Sequence, residues 1–180
     1  MTSVSADIVV RRLEAADWPV LKAARLAALT DAPEAFASTL EHELDYTDEQ
    51  WQEWLASTAA TFGAFRTGEE RGPPAARIAG MAAARVRPRP DQPGEHTEWR
   101  LMSVWLSPDL RGTGIAARLV DAMREQARRS GAGLISLWVT DANERARAFY
   151  IRLGFEPTGR HQLMPEQPDL WETELAQPLN

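Results

Sequence analysis

A strand, a glycine-rich turn and a helix follow one another between residues 104 and 129. Residues 104–106 favour a strand, and Pro108 ends it because proline has no N–H to donate to a ladder. After the turn, apolar side chains recur at helical spacing, at Ile115, Leu119 and Met123. The first N–H groups of such a helix lack intrahelical partners and lie at its positive end. The segment therefore predicts a turn that binds an anion, typically a phosphate.

Two glycines and one arginine strengthen this prediction. Gly112 and Gly114 remove side chains that would keep an anion from the backbone, and Arg111 adds a fixed positive charge. The run RGTGIA at 111–116 resembles the acetyl-CoA motif of the GCN5-related N-acetyltransferases (the GNAT family), Arg/Gln-x-x-Gly-x-Gly/Ala. A second block, LWVTDAN at 137–143 followed by FY at 149–150 and LGF at 153–155, is similar to the same family. The resemblance is close over residues 98 to 160 and holds in outline elsewhere.

The pattern of hydrophobic residues predicts one α/β domain over residues 1–180, in the order β-α-α-β-β-β-α-β-α-β-β. Strands are expected at 6–13, 61–67, 77–87, 98–106, 134–139, 155–163 and 170–175. Helices are expected from an N-cap at Asp17 to about Asp31, after a capping box at 47–50, after Gly114, and over 143–153. Residues 68–74 and 88–94 should be a turn and a loop. The resemblance implies a mixed, mostly antiparallel sheet of six or seven strands, with a central parallel β-α-β crossover flanked by helices.

Composition excludes several classes of site and partner. The chain has no cysteine and three unpaired histidines, which argues against a disulfide, a thiolate nucleophile or a metal site. Its net charge of −6 argues against nucleic acid. No apolar stretch approaches the ~20 residues that span a membrane, so we expect a cytoplasmic protein. A homodimer is compatible with these features.

The resemblance implies acetyl-CoA as acyl donor and assigns its binding residues. Backbone groups of Val104, Trp105 and Leu106 would pair with the pantetheine arm as a neighbouring strand does. The pyrophosphate would lie on the N–H groups of the turn and helix start, and Asn143 would hydrogen-bond CoA while also capping the next helix. The residues expected around the pyrophosphate are Arg111, Gly112, Thr113, Gly114, Ile115, Ala116 and Ala117.

Tyr150 is expected to act as the general acid. It follows Asn143 by seven residues, where the family has a tyrosine near the CoA sulfur. Attack of an amine on the thioester expels a thiolate with a pKa of about 8.5, and a phenol with a pKa of about 10 can protonate it. The alternative is that Tyr150 only packs on the Phe149/Leu153 face of its helix.

The general base is where the sequence departs from the family. The two positions at which family members carry a glutamate are Arg100 and Trp138 here. Glu98 shares a strand face with Arg100 about 7 Å away, a gap that a water can bridge. Glu98 is therefore the first candidate, with a surface charge as the alternative. Glu41, Glu43 and His96 are weaker candidates.

Charge is distributed unevenly along the chain. Residues 31–53 hold eight acidic residues and no lysine or arginine, whereas residues 100–129 hold six arginines against three acids. The acidic run predicts a wall for a cationic acceptor, a small molecule or a peptide amine, unless it is only a solvated surface.

Two other functions fit parts of the sequence. A non-catalytic acetyl-CoA-binding module would explain the missing carboxylates but not Tyr150. A dinucleotide site would use the spacing of Gly112, Gly114 and Ala117, with Asp141 near the ribose. The five residues between strand and first glycine, and the single β-α-β unit, argue against it.

Overall fold

The computed structural model describes residues 7–67, 77–88, 97–165 and 167–179. The strands are β1 Ile8–Arg12, β2 Ala60–Arg66, β3 Ile78–Arg87, β4 Glu98–Leu106, β5 Leu134–Thr140, β6 Glu156–Met164 and β7 Gln167–Pro178. The helices are α1 Trp18–Asp31, α2 Leu40–Leu44, α3 Asp48–Ala56, α4 Ile115–Arg129 and α5 Glu144–Arg152. His96, the predicted turn at 68–74 and most of the predicted loop at 88–94 lie outside the described residues.

The seven strands form one sheet in the order β1-β2-β3-β4-β5-β7-β6. All neighbouring pairs are antiparallel except β4 and β5, which are parallel. Helix α4 connects these two strands, as a parallel pair requires. The predicted mixed sheet with a central crossover is therefore confirmed.

Helices cover both faces of the sheet. Ile115, Leu119 and Met123 of α4 are fully buried in one hydrophobic cluster, together with small residues of the central strands. Leu21, Leu29 and other residues of α1 pack with α3 on the opposite face. No helix of the described ranges is long and apolar enough to cross a membrane.

The helix ends follow the predicted caps with one exception. Thr47 and Gln50 form the capping box of α3, and Gly131 and Gly154 follow α4 and α5 with φ of 78° and 87°. The carboxylate of Asp17 does not cap α1 as predicted. It accepts hydrogen bonds from Arg11 at 2.7 and 2.9 Å and from the Glu14 N–H at 2.9 Å. The charged guanidinium is the stronger donor, so it takes the carboxylate away from the helix end.

Candidate active site

The sheet opens between its two parallel strands. β4 and β5 pair only at Glu98–Leu134, Trp99–Ile135 and Arg100–Ser136, and no pairing continues beyond these positions. The register of β4 against β3 shifts between Met81 and Ala83, where two residues of β4 face one of β3. At this bulge Ser103 has a φ of 53°, an uncommon value for a residue other than glycine. A bulge bends its strand, which accounts for the separation of β4 from β5.

A cleft of about 600 Å³ occupies this opening, and we call it the wedge cleft. Its walls are the end of α1 with the segment up to Phe36, the end of β4, the turn before α4, the end of β5 and α5. The predicted donor-site residues that line it are Val104, Trp105, Leu106, Arg111, Gly112, Gly114, Ala116, Ala117, Asn143 and Tyr150. Thr113 and Ile115 belong to the same turn but do not line the cleft, and Ile115 is fully buried.

The glycine turn is shaped to receive a ligand at its backbone. Gly112 and Gly114 have φ of 82° and 86°, and nothing lies within 4 Å of the position that a Cβ would take at either one. No side chain caps α4, and its first intrahelical bond runs from Arg118 N–H to Gly114 C=O. The N–H groups of residues 115–117 therefore have no acceptor among the described residues, as an anion site requires.

The charge of Arg111 is partly compensated within the protein. Its Nη2 donates to the Asp31 carboxylate and its Nε to the Leu106 carbonyl at 3.2 Å. Asp31 also accepts from the Trp105 indole N–H at 2.9 Å. Asp31 thus joins the end of α1 to β4 and the turn, a connection between residues far apart in sequence that local patterns did not indicate.

Two further cations at the wedge cleft were not predicted. Arg145 and Arg152 are exposed, line the cleft, and form no ion pair with any described carboxylate. Both lie on α5, two and nine residues after Asn143, which is about half a turn and two and a half turns. Their spacing of seven residues, two turns of a helix, is the signal that could have identified them.

Asn143 and Tyr150 stand at the inner end of the cleft. Asn143 Oδ1 accepts from the Ala146 N–H at 3.0 Å, so the predicted helix cap is confirmed. Tyr150 is 8% exposed, and its ring contacts Phe149 and Phe155 edge-on. Its hydroxyl makes no hydrogen bond with the described chain. Burial raises the pKa of the Tyr150 phenol above its usual value, so the group stays protonated at neutral pH.

A second cleft of about 440 Å³ lies between β4 and β5 on the side of α1–α3. The two clefts share seven lining residues: Ala35, Phe36, Val104, Thr140, Asn143, Ala146 and Tyr150. The two clefts therefore adjoin, and Tyr150 is part of the wall of both.

Glu98 does not line either cleft. It is 7% exposed, and its Oε1 accepts from Arg100 Nη2 at 2.7 Å and from the Ser136 hydroxyl. Arg100 lines the second cleft and also contacts Glu174 at 3.0 Å. Glu98 is thus part of an ion-pair network below the cleft.

The second cleft contains a carboxylate that the sequence analysis missed. Glu172 of β7 lines it, is 6% exposed, and accepts from Gln162 Nε2 at 2.7 Å. Its register partner is Thr140, which lines both clefts. Burial is the main cause that raises the pKa of the Glu172 carboxyl, opposed by Gln162 and Arg100. Two glutamates at alternate positions of a half-buried strand, 172 and 174, were the available sequence signal.

The acidic run from 31 to 53 does not form a continuous wall. Glu41 and Asp45 are exposed and line neither cleft. Glu43 lines the second cleft, but it is 1% exposed and bound by Arg25 at 2.7 Å. The expected absence of basic neighbours is therefore wrong for Glu43, because α1 brings Arg25 onto it.

Comparisons with known proteins agree with this geometry. The model of the acetyltransferase (GNAT) family matches residues 26–155. An uncharacterised N-acetyltransferase of Methanocaldococcus jannaschii is 42% identical over 53 residues, which are 29% of this chain and 24% of that protein. The match thus spans about a quarter of the length of this relative.

Solved structures share the fold across their whole length. A GNAT-family acetyltransferase of Streptococcus pneumoniae superposes with a TM-score of 0.73 at 18% identity, over 96% of this chain and 99% of that one. The ribosomal-protein-alanine N-acetyltransferase of Brucella melitensis gives 0.71 at 23% identity, over 95% and 99%. Arabidopsis thaliana NAA60, solved in complex with acetyl-CoA, gives 0.71 at 16% identity, over 96% and 99%.

The family match covers more than half of the chain, and the splayed sheet and glycine turn agree with it. The chain belongs to the acetyltransferase (GNAT) family.

Proposed function

We propose that this protein is an acetyl-CoA-dependent N-acetyltransferase that transfers the acetyl group of the CoA thioester to a primary amine, by direct attack in a ternary complex. One observation carries the proposal most directly: Tyr150 lines both of two adjoining clefts whose other walls are largely different. Such an arrangement lets donor and acceptor be bound together, which converts a bimolecular reaction into an effectively unimolecular one.

The wedge cleft is the proposed donor site. The N–H groups of residues 112–117 would hold the pyrophosphate, and Arg145 and Arg152 would add charge that Arg111, paired with Asp31, supplies only in part. The edge of β4 that β5 leaves unpaired would pair with the pantetheine arm at 104–106. Asn143 Nδ2 is left available for a CoA carbonyl, since the Oδ1 atom caps α5.

The proposed chemistry needs one acid and one base. The neutral amine attacks the thioester carbonyl, the C–N bond forms, and the C–S bond breaks with the electron pair on sulfur. The Tyr150 hydroxyl gives its proton to the departing thiolate, and a carboxylate takes the proton that the amine loses. Tyr150 is the proton donor in this step, and the packing of its ring against Phe149 and Phe155 holds it in place where the two clefts meet.

Glu172 is the base that we favour over Glu98. It lines the second cleft beside Thr140, and its raised pKa brings it nearer to neutral pH, where a general base is most effective. Glu98 would need a bridging water and is bound by Arg100 and Ser136.

The acceptor is proposed to be a small-molecule or peptide amine. The acidic run suggests a cationic acceptor, but Glu43 is the member of that run in the second cleft, and Arg25 neutralises it. The support for a cationic acceptor is therefore confined to Glu172.

The test is release of the CoA thiol from acetyl-CoA across a panel of amines. The panel should include polyamines, aminoglycosides, amino acids and short peptides with free N-termini. We expect amine-dependent release and an N-acetylated product by mass spectrometry. Tight acetyl-CoA binding by calorimetry without turnover of any amine would favour a non-catalytic module. NADH binding with no CoA binding would favour the dinucleotide site.

A further inference from the structure

Half of the six charged side chains that line the second cleft are neutralised within the protein. Arg25 binds Glu43 at 2.7 Å. Arg100 binds two carboxylates, Glu98 at 2.7 Å and Glu174 at 3.0 Å. These groups cannot bind a charged acceptor without losing an ion-pair partner, so their role is to stabilise the walls of the cleft.

Two arginines of β3 are different. Arg85 and Arg87 line the cleft from alternate positions of one strand and so project from the same face. Neither is within ion-pair distance of a carboxylate in the described ranges. Arg85 donates only to the Ser57 hydroxyl, at 3.2 Å, and its buried Nε atom has no acceptor. In a chain of net charge −6, two cations at one cleft with no counter-charge among the described residues are unusual.

Glu172 provides the opposite charge at the other end of the cleft. Arg85 is in register with Arg100, which pairs with Ser136 of β5, and Glu172 is in register with Thr140, four residues further along β5. Three strand spacings and four residues place the Cα atoms of Arg85 and Glu172 roughly 20 Å apart. The side chains of both residues shorten the gap between their charges. The cleft therefore has a positive end at β3 and a negative end at β7, and Tyr150 is also part of its wall.

We infer that the acceptor carries an anionic group, a carboxylate or a phosphate, which Arg85 and Arg87 bind while its amine lies at Tyr150 and Glu172. This inference rests on the proposed function and specifies its substrate class. Guanidinium groups bind carboxylate and phosphate oxygens in a bidentate manner, and opposite charges at the two ends would fix the direction in which the acceptor enters. An extended tripeptide spans about 10 Å, whereas a free amino acid cannot reach both ends.

The experiment uses pairs of probes that differ only in the anion. Alanyl-alanyl-alanine and its C-terminal amide are compared as acceptors with acetyl-CoA. 6-Aminohexyl phosphate and 6-aminohexanol, whose extended chains are about as long as the tripeptide, form the phosphate pair. We expect kcat/KM to be about tenfold higher for the charged member of at least one pair, as a charge-assisted hydrogen bond would give. The carboxylate and phosphate pairs identify which anion is preferred.

Variants of Arg85 and Arg87 test whether these two residues cause the preference for the charged acceptor. In Arg85→Gln/Arg87→Gln the preference should fall to within about twofold, mainly through KM, while the uncharged members react as before. Arg128→Gln, at an exposed position on α4 outside both clefts, is the matched control and should keep the preference. If the uncharged member of each pair reacts as well as its charged partner in wild type, or if the double variant keeps the preference, the inference is wrong.

A second measurement does not depend on turnover. N-acetyl-alanyl-alanyl-alanine and its amide are titrated by calorimetry into the protein saturated with CoA. Tighter binding of the acid, lost in the double variant, supports the anion site even if no amine is acetylated, in which case only the proposed function fails. Equal binding of acid and amide, with amines acetylated, overturns the anion site and leaves the proposed function standing.

Discussion

At the scale of single residues, Tyr150 connects packing to chemistry. Its ring contacts Phe149 and Phe155, the residue lines both clefts, and its hydroxyl has no hydrogen-bond partner among the described residues. Because burial raises the pKa of the phenol, the group stays protonated at neutral pH and can act as a proton donor. A core tyrosine would instead hydrogen-bond its hydroxyl to the protein.

Tyr150→Phe should therefore lower kcat without damaging the fold. The ring and its contacts stay, while the proton donor is lost, so we expect a decrease of about 10²-fold or more in kcat. Binding of CoA by calorimetry and the melting temperature should stay near wild type. An unchanged kcat, under conditions where the chemical step limits turnover, would reduce Tyr150 to a packing residue.

At the scale of elements, the strand-turn-helix unit around Gly114 is the proposed phosphate site. Gly114→Asp puts a carboxylate beside the free N–H groups of α4 and forces a left-handed φ of 86° on a residue with a Cβ. Repulsion of the CoA phosphates should weaken CoA binding by more than tenfold, measured by calorimetry. The strained φ should also cost about 1–2 kcal/mol of unfolding free energy.

Gly159→Asp is the control for that strain. Gly159 has a φ of 85°, is exposed on β6, and likewise has nothing within 4 Å of its Cβ position. Both variants should lose similar stability in urea denaturation, but only Gly114→Asp should lose affinity for CoA. Equal affinities in the two folded variants would show that CoA does not bind at this turn.

A buried ion pair fastens α1 and α2 to the bulge of β4. Arg25 is 5% exposed and Glu43 1%; the guanidinium binds the carboxylate at 2.7 Å and the Ser103 hydroxyl at 2.9 Å. Glu43→Gln leaves a buried guanidinium without its counter-charge, which should cost about 3 kcal/mol. Glu41→Gln, at an exposed neighbouring position, should stay within about 0.5 kcal/mol of wild type in the same urea titration. Similar losses in both would mean that Glu43 is a solvated charge.

At the scale of the whole molecule, local patterns predicted the elements, and long-range contacts decided the site. The bounds of β4, 98–106, were predicted correctly, because its strand-forming run ends at a proline. The bulge at Ser103 was not predicted, since it depends on the register with β3. The partners of Glu43 and Arg111 come from α1 and its end, and sequence spacing carries no signal for such contacts.

The same limit explains the choice of base. Glu98 was selected from its position along one strand, but its environment comes from β5 and β7 through Ser136 and Arg100. Glu172 lies in the last strand, which is Gln167–Pro178 rather than the predicted 170–175. It reaches the cleft because β7 is inserted between β5 and β6.

Substitutions at the two glutamates should have opposite effects on stability. The native pKa of Glu172 is raised, so the native state binds a proton more tightly than the unfolded chain does. Ionisation of Glu172 therefore does not lower the free energy of unfolding below the unfolded pKa of about 4.3. Above it, the loss of stability grows as the pH rises through the native pKa. Glu172→Gln removes this cost, while its amide oxygen can still accept from Gln162. Glu98→Gln instead takes a charged partner from Arg100 and should lower stability.

The kinetic and thermal measurements together test the proposed base. Glu172→Gln should raise the melting temperature at pH 7, with a gain that disappears towards pH 4, and lower kcat/KM by about 10²-fold. In wild type, kcat/KM should fall at acidic pH because the base becomes protonated. The pH profile of Glu172→Gln should lack this fall. Glu98→Gln should melt earlier than wild type and keep that acidic limb. If Glu98→Gln loses the limb and Glu172→Gln keeps it, the proton of the amine leaves through Glu98 and a water, and Glu172 only shapes the cleft.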